Sequence, residues 1–155
     1  MKITTDILIA GTGVAGLIAA LNISTDKKVT MLTKSVLEES DSFLAQGGIC
    51  VLQEESDYDA YYEDTMRAGH YENNPQSVEM MIRSSAALIE ELIGYGVDFE
   101  RKNGKLCYTR EGAHSRPRIL YHEDITGKEI TSKLIAEVKK RKNITIQIVF
   151  YHKKG

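Results

Sequence analysis

Tryptophan is absent from this sequence, and cysteine and proline appear only twice each. Cys50 and Cys107 lie far apart and form no CxxC pair, so neither a metal knot nor a structural disulfide is expected. No Pro- or Ser-rich stretch interrupts the chain, and no internal repeat or low-complexity linker divides it. Neither sign of charge dominates: 20 Lys and Arg face 22 Asp and Glu, which leaves no basic footprint for a nucleic acid. No apolar run approaches the roughly 20 residues that span a bilayer. The N-terminus passes almost directly from Met1 into a strand-like run, without the charged-then-apolar pattern of a signal peptide. A cytoplasmic location is therefore expected, with no membrane, metal or nucleic-acid partner. What is present, 42% apolar and 27% charged residues over 155 positions, suits one ordinary globular domain with its own core.

Ile7-Leu8-Ile9-Ala10 is continuously apolar, bounded by Asp6 and Gly11, and reads as a strand buried on both faces of a parallel sheet. From Val14 to Asn22, the residues Ala15, Ile18, Ala19 and Leu21 suit a helix packed closely on that sheet. Thr25 to Lys28 is a polar turn, and Val29 to Leu32 a second strand, so the chain opens as a βαβ unit. Residues 34–56 read mostly as loop. Asp57 is placed to cap a helix running to about Ala68, with Gly69 as its stop. Val78, Met81, Ile82, Ser85, Leu88, Ile89 and Leu92 repeat at helical spacing between Pro75 and Gly94. Val97-Asp98-Phe99 suggests a short strand, and residues 100–123 are polar and irregular. Asp124-Ile125-Thr126-Gly127 opens a third long helix with Ile130, Leu134, Ile135 and Val138 as its buried stripe, and Ile144 to Phe150 alternates as a strand. About 90 residues separate the second strand from this last helix, far more than a plain nicotinamide-binding domain needs. An excursion of that length commonly builds a ligand site.

Gly11, Gly13 and Gly16 form G-x-G-x-x-G immediately after the first strand and at the start of the first helix. Gly11 permits the tight turn, Gly13 lets a pyrophosphate approach the backbone, and Gly16 lets helix and strand pack closely. The N–H groups and dipole at the helix start then favour phosphate. The strand-then-helix context makes dinucleotide binding the expected function of this turn. The usual acidic partner of the adenosine ribose would end the second strand. Thr33 and Lys34 stand there instead, and Glu38 and Glu39 come later, in the loop. No carboxylate contact to the ribose is expected, and Lys34 is placed to reach the adenosine side.

The stretch Ser42-Phe43-Leu44-Ala45-Gln46-Gly47-Gly48-Ile49 carries the most information. Adjacent glycines let a backbone lie flat against a planar ring, while freed N–H groups and the Gln46 amide meet its polar edge. This A-Q-G-G-I string, at its distance from the first glycine motif, resembles the flavin loop of the succinate dehydrogenase, fumarate reductase and L-aspartate oxidase superfamily. Respiratory members carry a histidine just before this loop that attaches FAD covalently; the matching position is Asp41, which implies non-covalent FAD. Thr109-Arg110-Glu111-Gly112-Ala113-His114-Ser115, followed by Arg116, Arg118-Ile119-Leu120, His122, Asp124 and Thr126-Gly127, resembles the corresponding segment of the L-aspartate oxidases. Asp64-Thr65 and Ala68-Gly69 resemble that family too, and the likeness extends from residue 6 to about 147. Pro117, Tyr121 and Asp41 depart from its commonest residues, and Phe150 to Gly155 does not look like its continuation.

The resemblance implies an α/β, Rossmann-like FAD/NAD(P)-binding domain with an incomplete parallel sheet, spanning residues 1–155 as the N-terminal part of a longer enzyme. It implies FAD-dependent oxidation of L-aspartate to iminoaspartate, with oxygen or fumarate as electron acceptor. The product feeds quinolinate and thus NAD biosynthesis, with handover to quinolinate synthase as a further implied partner. Gly11 to Gly16 and Lys34 would hold the phosphates and adenosine, and Asp41, Ser42, Phe43, Leu44, Ala45, Gln46, Gly47 and Gly48 the isoalloxazine side. Glu111 would meet the substrate ammonium, and His114 would stand near the substrate mouth. Catalytic residues are expected beyond residue 155, so the segment alone should be inactive. A fumarate reductase-like flavoprotein and a non-catalytic dinucleotide-binding module are the alternatives; the missing acid and the A-Q-G-G loop argue against an NAD(P)-dependent enzyme. His114 and His122 fit no recurring zinc spacing. Tyr58, Tyr61 and Tyr62 read as a helix face, and Lys139 to Lys142 as a favourable positive helix end.

Overall fold

A computed structural model describes residues 3–149. In chain order its elements are β1 (Ile7–Ala10), α1 (Val14–Leu21), β2 (Val29–Thr33), α2 (Asp41–Leu44), β3 (Ile49–Cys50), α3 (Tyr58–Ala68), α4 (Pro75–Gly94), β4 (Arg101–Lys102), β5 (Lys105–Leu106), β6 (Ile119–Leu120), α5 (Thr126–Lys140) and β7 (Ile144–Ile148). Short 3-10 turns cover Leu37–Glu39 and Glu55–Asp57. The chain divides into two compact units, residues 1–46 with 127–155, and residues 47–126. Phe150 and the residues after it lie outside the described part. Among the described residues no helix is long and apolar enough to cross a membrane.

The first unit is built on a parallel sheet of order β1-β2-β7, with Ile9 opposite Met31 and Met31 opposite Ile146. The βαβ opening expected from the sequence is present, and β2, central in the sheet, buries Val29, Thr30, Met31 and Thr33. β1 differs from expectation, because its burial alternates and Leu8 is 59% exposed, so one of its faces is uncovered. The buried face of α1 is Leu17, Ala20 and Leu21, whereas Ala15 and Ala19 are exposed. The 3.6-residue period explains the difference: 17, 20 and 21 share one face, and 15 and 19 fall outside it. Ile130, Leu134, Ile135 and Val138 of α5 are buried as the spacing predicts, and Lys139 and Lys140 end that helix.

The second unit is centred on the packed helices α3 and α4. Tyr61 and Met66 of α3 form a buried cluster with Val78 and Ile82 of α4, joined by Cys50, Leu52, Tyr58 and Tyr62. α4 keeps the predicted bounds. Asn74 accepts from the Ser77 N–H and caps it, while Pro75 occupies its first turn, where a missing N–H is harmless. α3 also has the predicted length, but Asp57 is not its cap. Its side chain bonds no helix N–H, because its carboxylate is committed to Arg118 instead. Val97-Asp98-Phe99 is not a strand, although Val97 and Phe99 are buried. Within the polar stretch 100–123 the structure finds the small hairpin β4–β5 and the buried strand β6, paired with β3.

Candidate functional site

In the first unit the chain leaves the C-terminal end of β1 at Gly11, whose φ of +111° is the conformation that favours glycine. Gly16 sits one helical turn beyond. A β-carbon there would stand 2.3 Å from the Gly11 carbonyl oxygen, so the crossing of strand end and helix start depends on its bare backbone. Gly13 differs: its β-carbon would meet only the Ser42 hydroxyl, at 3.0 Å. That hydroxyl accepts the Val14 N–H at 3.2 Å, so a polar oxygen already sits at the start of α1, where a phosphate oxygen is favoured. Beside this turn lies a cavity of about 530 Å³, lined by Ala10 to Gly13 from β1 and its turn, Leu32 to Val36 from the end of β2, and Glu39 to Ser42. The glycine turn, Lys34, Asp41 and Ser42 thus border one space at the carboxyl ends of parallel strands, where α/β sheets hold their ligands. The bare backbone at Gly13 and the open mouth beside it fit a dinucleotide.

Sequence reasoning did not foresee how the segment after β2 is organised. Thr33 spends its Oγ1 on Ser35, donating to the backbone oxygen at 2.8 Å. Ser35 in turn donates its hydroxyl to the Glu39 carboxylate. Leu37 is buried and anchors the turn, and Ser40 caps α2 by accepting the Phe43 N–H at 3.2 Å. What reads as loop is therefore pinned at four successive points. The rest of the A-Q-G-G stretch is exposed, and Leu44 shows 65% of its surface.

Gly47 and Gly48 belong to the second unit and differ in character. Gly47 has open space around it, whereas a β-carbon on Gly48 would stand 2.2 Å from Ile119 Cγ2 and 2.3 Å from the Leu120 oxygen. Gly48 thereby allows β3 to approach β6. A second cavity, about 700 Å³, is lined by Gly48 to Cys50, Tyr61, Asp64, Thr65, Asn73, Ser84, Ser85, Ala113 and His114 among others. Among the described residues no lysine or arginine lines it.

The wall of this cavity rests on Arg118, which is fully buried. Its Nη2 donates to Asp57 Oδ1 at 3.0 Å and its Nη1 to Asp64 Oδ2 at 2.7 Å. Asp64 also accepts the Ser115 N–H at 2.7 Å and the Ser115 hydroxyl at 2.6 Å. Burial by itself raises the Asp64 carboxyl pKa, but the Ser115 and Arg118 hydrogen bonds outweigh it and hold it at about 2. The Arg118 guanidinium loses hydration by burial, yet its two carboxylates keep its pKa above the ordinary value. Arg118 Nη1 lies 3.4 Å from His114 Nδ1, and His114 Nε2 lies 3.3 Å from Cys50 Sγ. An arginine nitrogen can only donate, so in the neutral ring Nδ1 accepts and the proton sits on Nε2, facing the sulfur. Burial pushes the Cys50 thiol up, and burial together with Cys50 pushes the Tyr61 phenol up, so both remain protonated at neutral pH. Tyr61 stacks edge-on with His114 at 6.2 Å between centroids.

His114 therefore lines a cavity, whereas Glu111 is exposed and linked to it through the turn in which the His114 N–H donates to the Glu111 carbonyl at 3.0 Å. Sequence reasoning missed Arg118 as the hub of this wall. Its signal was a charge directly before the apolar pair Ile119-Leu120, together with acids at 57 and 64, two helical turns apart. His122 takes no part, its backbone N–H donating to Thr126 Oγ1 at 2.9 Å. Among the described residues no cluster of three or more His, Cys, Asp or Glu could hold a metal.

Comparison with known proteins agrees with this geometry. The chain is similar to L-aspartate oxidase of Clostridium perfringens, 45% identical over 146 residues, covering 94% of this chain and 33% of that protein. It is 49% identical over 147 residues to L-aspartate oxidase of Clostridium acetobutylicum, covering 94% and 34%. The chain thus spans about a third of the length of these curated relatives. Among solved structures, Sdh1 of Mycobacterium smegmatis superposes with a TM-score of 0.80 at 26% identity, covering 92% of this chain and 27% of that one. An E. coli quinol fumarate reductase shares the fold with a TM-score of 0.87 at 22% identity, covering 94% and 26%. Residues 6–153 match the FAD binding domain family, and the chain, with its glycine cradle opening on a cavity at the strand ends, belongs to that family.

Proposed function

We propose that this chain is the FAD-binding part of a flavin-dependent L-aspartate oxidase. The observation that carries the reading is the cavity beside Gly11 to Gly13, bordered by Lys34, Asp41 and Ser42, in a chain nearly half identical to L-aspartate oxidases. In this reading Thr12, Gly13, Val14 and Ala15 meet the pyrophosphate at the start of α1, Gly11 makes the turn and Gly16 the close helix–strand packing that shape the cofactor site, and Lys34 meets the adenosine end. Asp41, Ser42, Phe43, Leu44, Ala45, Gln46, Gly47 and Gly48 serve the isoalloxazine. Asp41 is a carboxylate where a histidine would make the covalent bond, which supports non-covalent FAD. The chemistry that FAD supplies when bound is acceptance of a hydride equivalent from the substrate Cα–H, leaving iminoaspartate, with oxygen or fumarate taking the electrons in turn. Glu111 pairs with the substrate ammonium, and His114 presents its ring at the neighbouring wall, held by Arg118. Handover of the product to quinolinate synthase, a role in NAD biosynthesis and a cytoplasmic location belong to the same proposal. The location is supported by two cysteines that are both free.

The test is direct. The purified chain, incubated with FAD and desalted, should retain flavin absorbance near 1:1, and Glu111→Gln in an L-aspartate oxidase carrying this segment should raise the KM for L-aspartate at least about tenfold. A colourless chain after reconstitution would defeat the cofactor assignment. An unchanged KM would remove Glu111 from the substrate site.

A further inference from the structure

The end of β2 lacks the acidic residue that would ordinarily meet the adenosine ribose. Thr33 is buried and its hydroxyl is spent on Ser35, and Lys34 has only donors to offer. The diol of a ribose needs an acceptor. Two carboxylates border the cavity, Glu39 and Asp41. Asp41 precedes Ser42, whose hydroxyl sits on the Val14 N–H at the start of α1, the end of the cavity suited to phosphate. Glu39 is tied to the other end. Ser35, two residues beyond the end of β2, donates its hydroxyl to the Glu39 carboxylate, and Thr33 in turn holds Ser35. The backbone bond from Glu39 N–H to the Val36 oxygen, at 3.3 Å, and the buried Leu37 fix the turn that carries it.

We propose that Glu39 is the ribose-binding acid of this site: a 3-10 turn returns a carboxylate to the place left without one at the end of β2, to accept the 2′- and 3′-hydroxyls of the adenosine ribose. A carboxylate has roughly four lone-pair directions. The bond from Ser35 uses one, which leaves capacity for two vicinal hydroxyls while fixing the group's orientation. The same carboxylate opposes a 2′-phosphate by like charge, so the site selects an unphosphorylated ribose even with Lys34 beside it. This inference rests on the FAD reading above and adds a residue to it.

The experiment is a cycle of variant against ligand, read by calorimetry on the 155-residue chain, with ADP and 2′,3′-dideoxy-ADP as probes and FAD as reference. Glu39→Gln should weaken ADP about tenfold or more, as expected for loss of hydrogen bonds to a charged acceptor. It should change dideoxy-ADP less than twofold. Ser35→Ala should give the same pattern at smaller amplitude. Asp41→Asn should weaken both probes equally or not at all. Equal losses for ADP and its dideoxy analogue in Glu39→Gln, or no loss for either, would overturn the assignment of Glu39 while FAD binding by the parent chain leaves the cofactor reading standing. A parent chain that binds neither FAD nor ADP would overturn both.

Discussion

At the scale of single residues the least replaceable side chain is Arg118. It is fully buried, serves two buried aspartates, and lies 5.0 Å from the Tyr61 ring centroid. Removing one member of such a set leaves the others charged and unpaired, which matters more than the net contribution of the set itself. Arg118→Leu should therefore destabilise the chain by about 3–5 kcal/mol, measured as a fall in urea midpoint at unchanged slope. Asp64 adds a pH dependence whose sign is fixed. Its folded pKa of about 2 lies below the ordinary aspartate value, so the unfolded chain binds the proton more readily. The resulting stability is complete above about pH 4 and is lost as pH falls toward 2, on the order of 2 kcal/mol in all. Urea titrations of the parent chain and of Asp64→Asn between pH 5 and 2 should show a shallower acid decline in the variant. Parallel declines would mean that Asp64 does not carry it.

At the scale of elements the glycine turn separates a packing role from a ligand role. Gly16→Ala should gain about 1 kcal/mol of helix propensity in α1. The added carbon, however, would stand 2.3 Å from the Gly11 carbonyl, and backbone cannot swing aside as a side chain can. The clash wins, and the variant should lose about 1–3 kcal/mol in thermal or urea unfolding. Gly13→Ala meets only the Ser42 hydroxyl, which can rotate, and its φ of −72° suits alanine. Its stability should change by about 1 kcal/mol or less, while FAD affinity falls at least tenfold because the methyl occupies the approach of a phosphate. The pattern of β1, α1, β2, α4, α5 and β7 was legible in the sequence because periodicity, caps and glycine spacing are local signals. Arg118, Asp57 and Glu39 were not. Their roles depend on partners 61 residues away in one case and on a turn folding back in the other, and local spacing does not encode such meetings. Asp57 is the clearest case: its position beside a helix start looks like a cap, but a buried guanidinium competes for the same oxygens and offers a stronger bond than a backbone N–H.

At the scale of the whole molecule, charge decides what this segment does alone. L-aspartate brings two carboxylates and one ammonium, and a site for it needs cations as well as an acid. The second unit offers Glu111 in an exposed turn and His114 on the cavity wall, but among the described residues no lysine or arginine lines that cavity, and Arg118 is committed to Asp57 and Asp64. Under the proposed reading the lining of this cavity supplies no cation for the dicarboxylate, and the curated relatives are about three times as long as this chain. Of the proposed FAD contacts, the glycine turn, Lys34, Glu39 and Ser42 lie in the first unit and involve none of those groups. Cofactor binding and substrate oxidation should therefore come apart in the isolated chain. Loaded with FAD and mixed anaerobically with millimolar L-aspartate, it should keep its flavin absorbance unbleached over hours, and in air it should release no peroxide above a flavin-only control. A grafted protein, with this segment in place of the N-terminal third of the Clostridium acetobutylicum enzyme, should bleach within the mixing time of a cuvette. Bleaching by the isolated chain would show that the dicarboxylate is recognised without added cations, and the charge argument would fall with it.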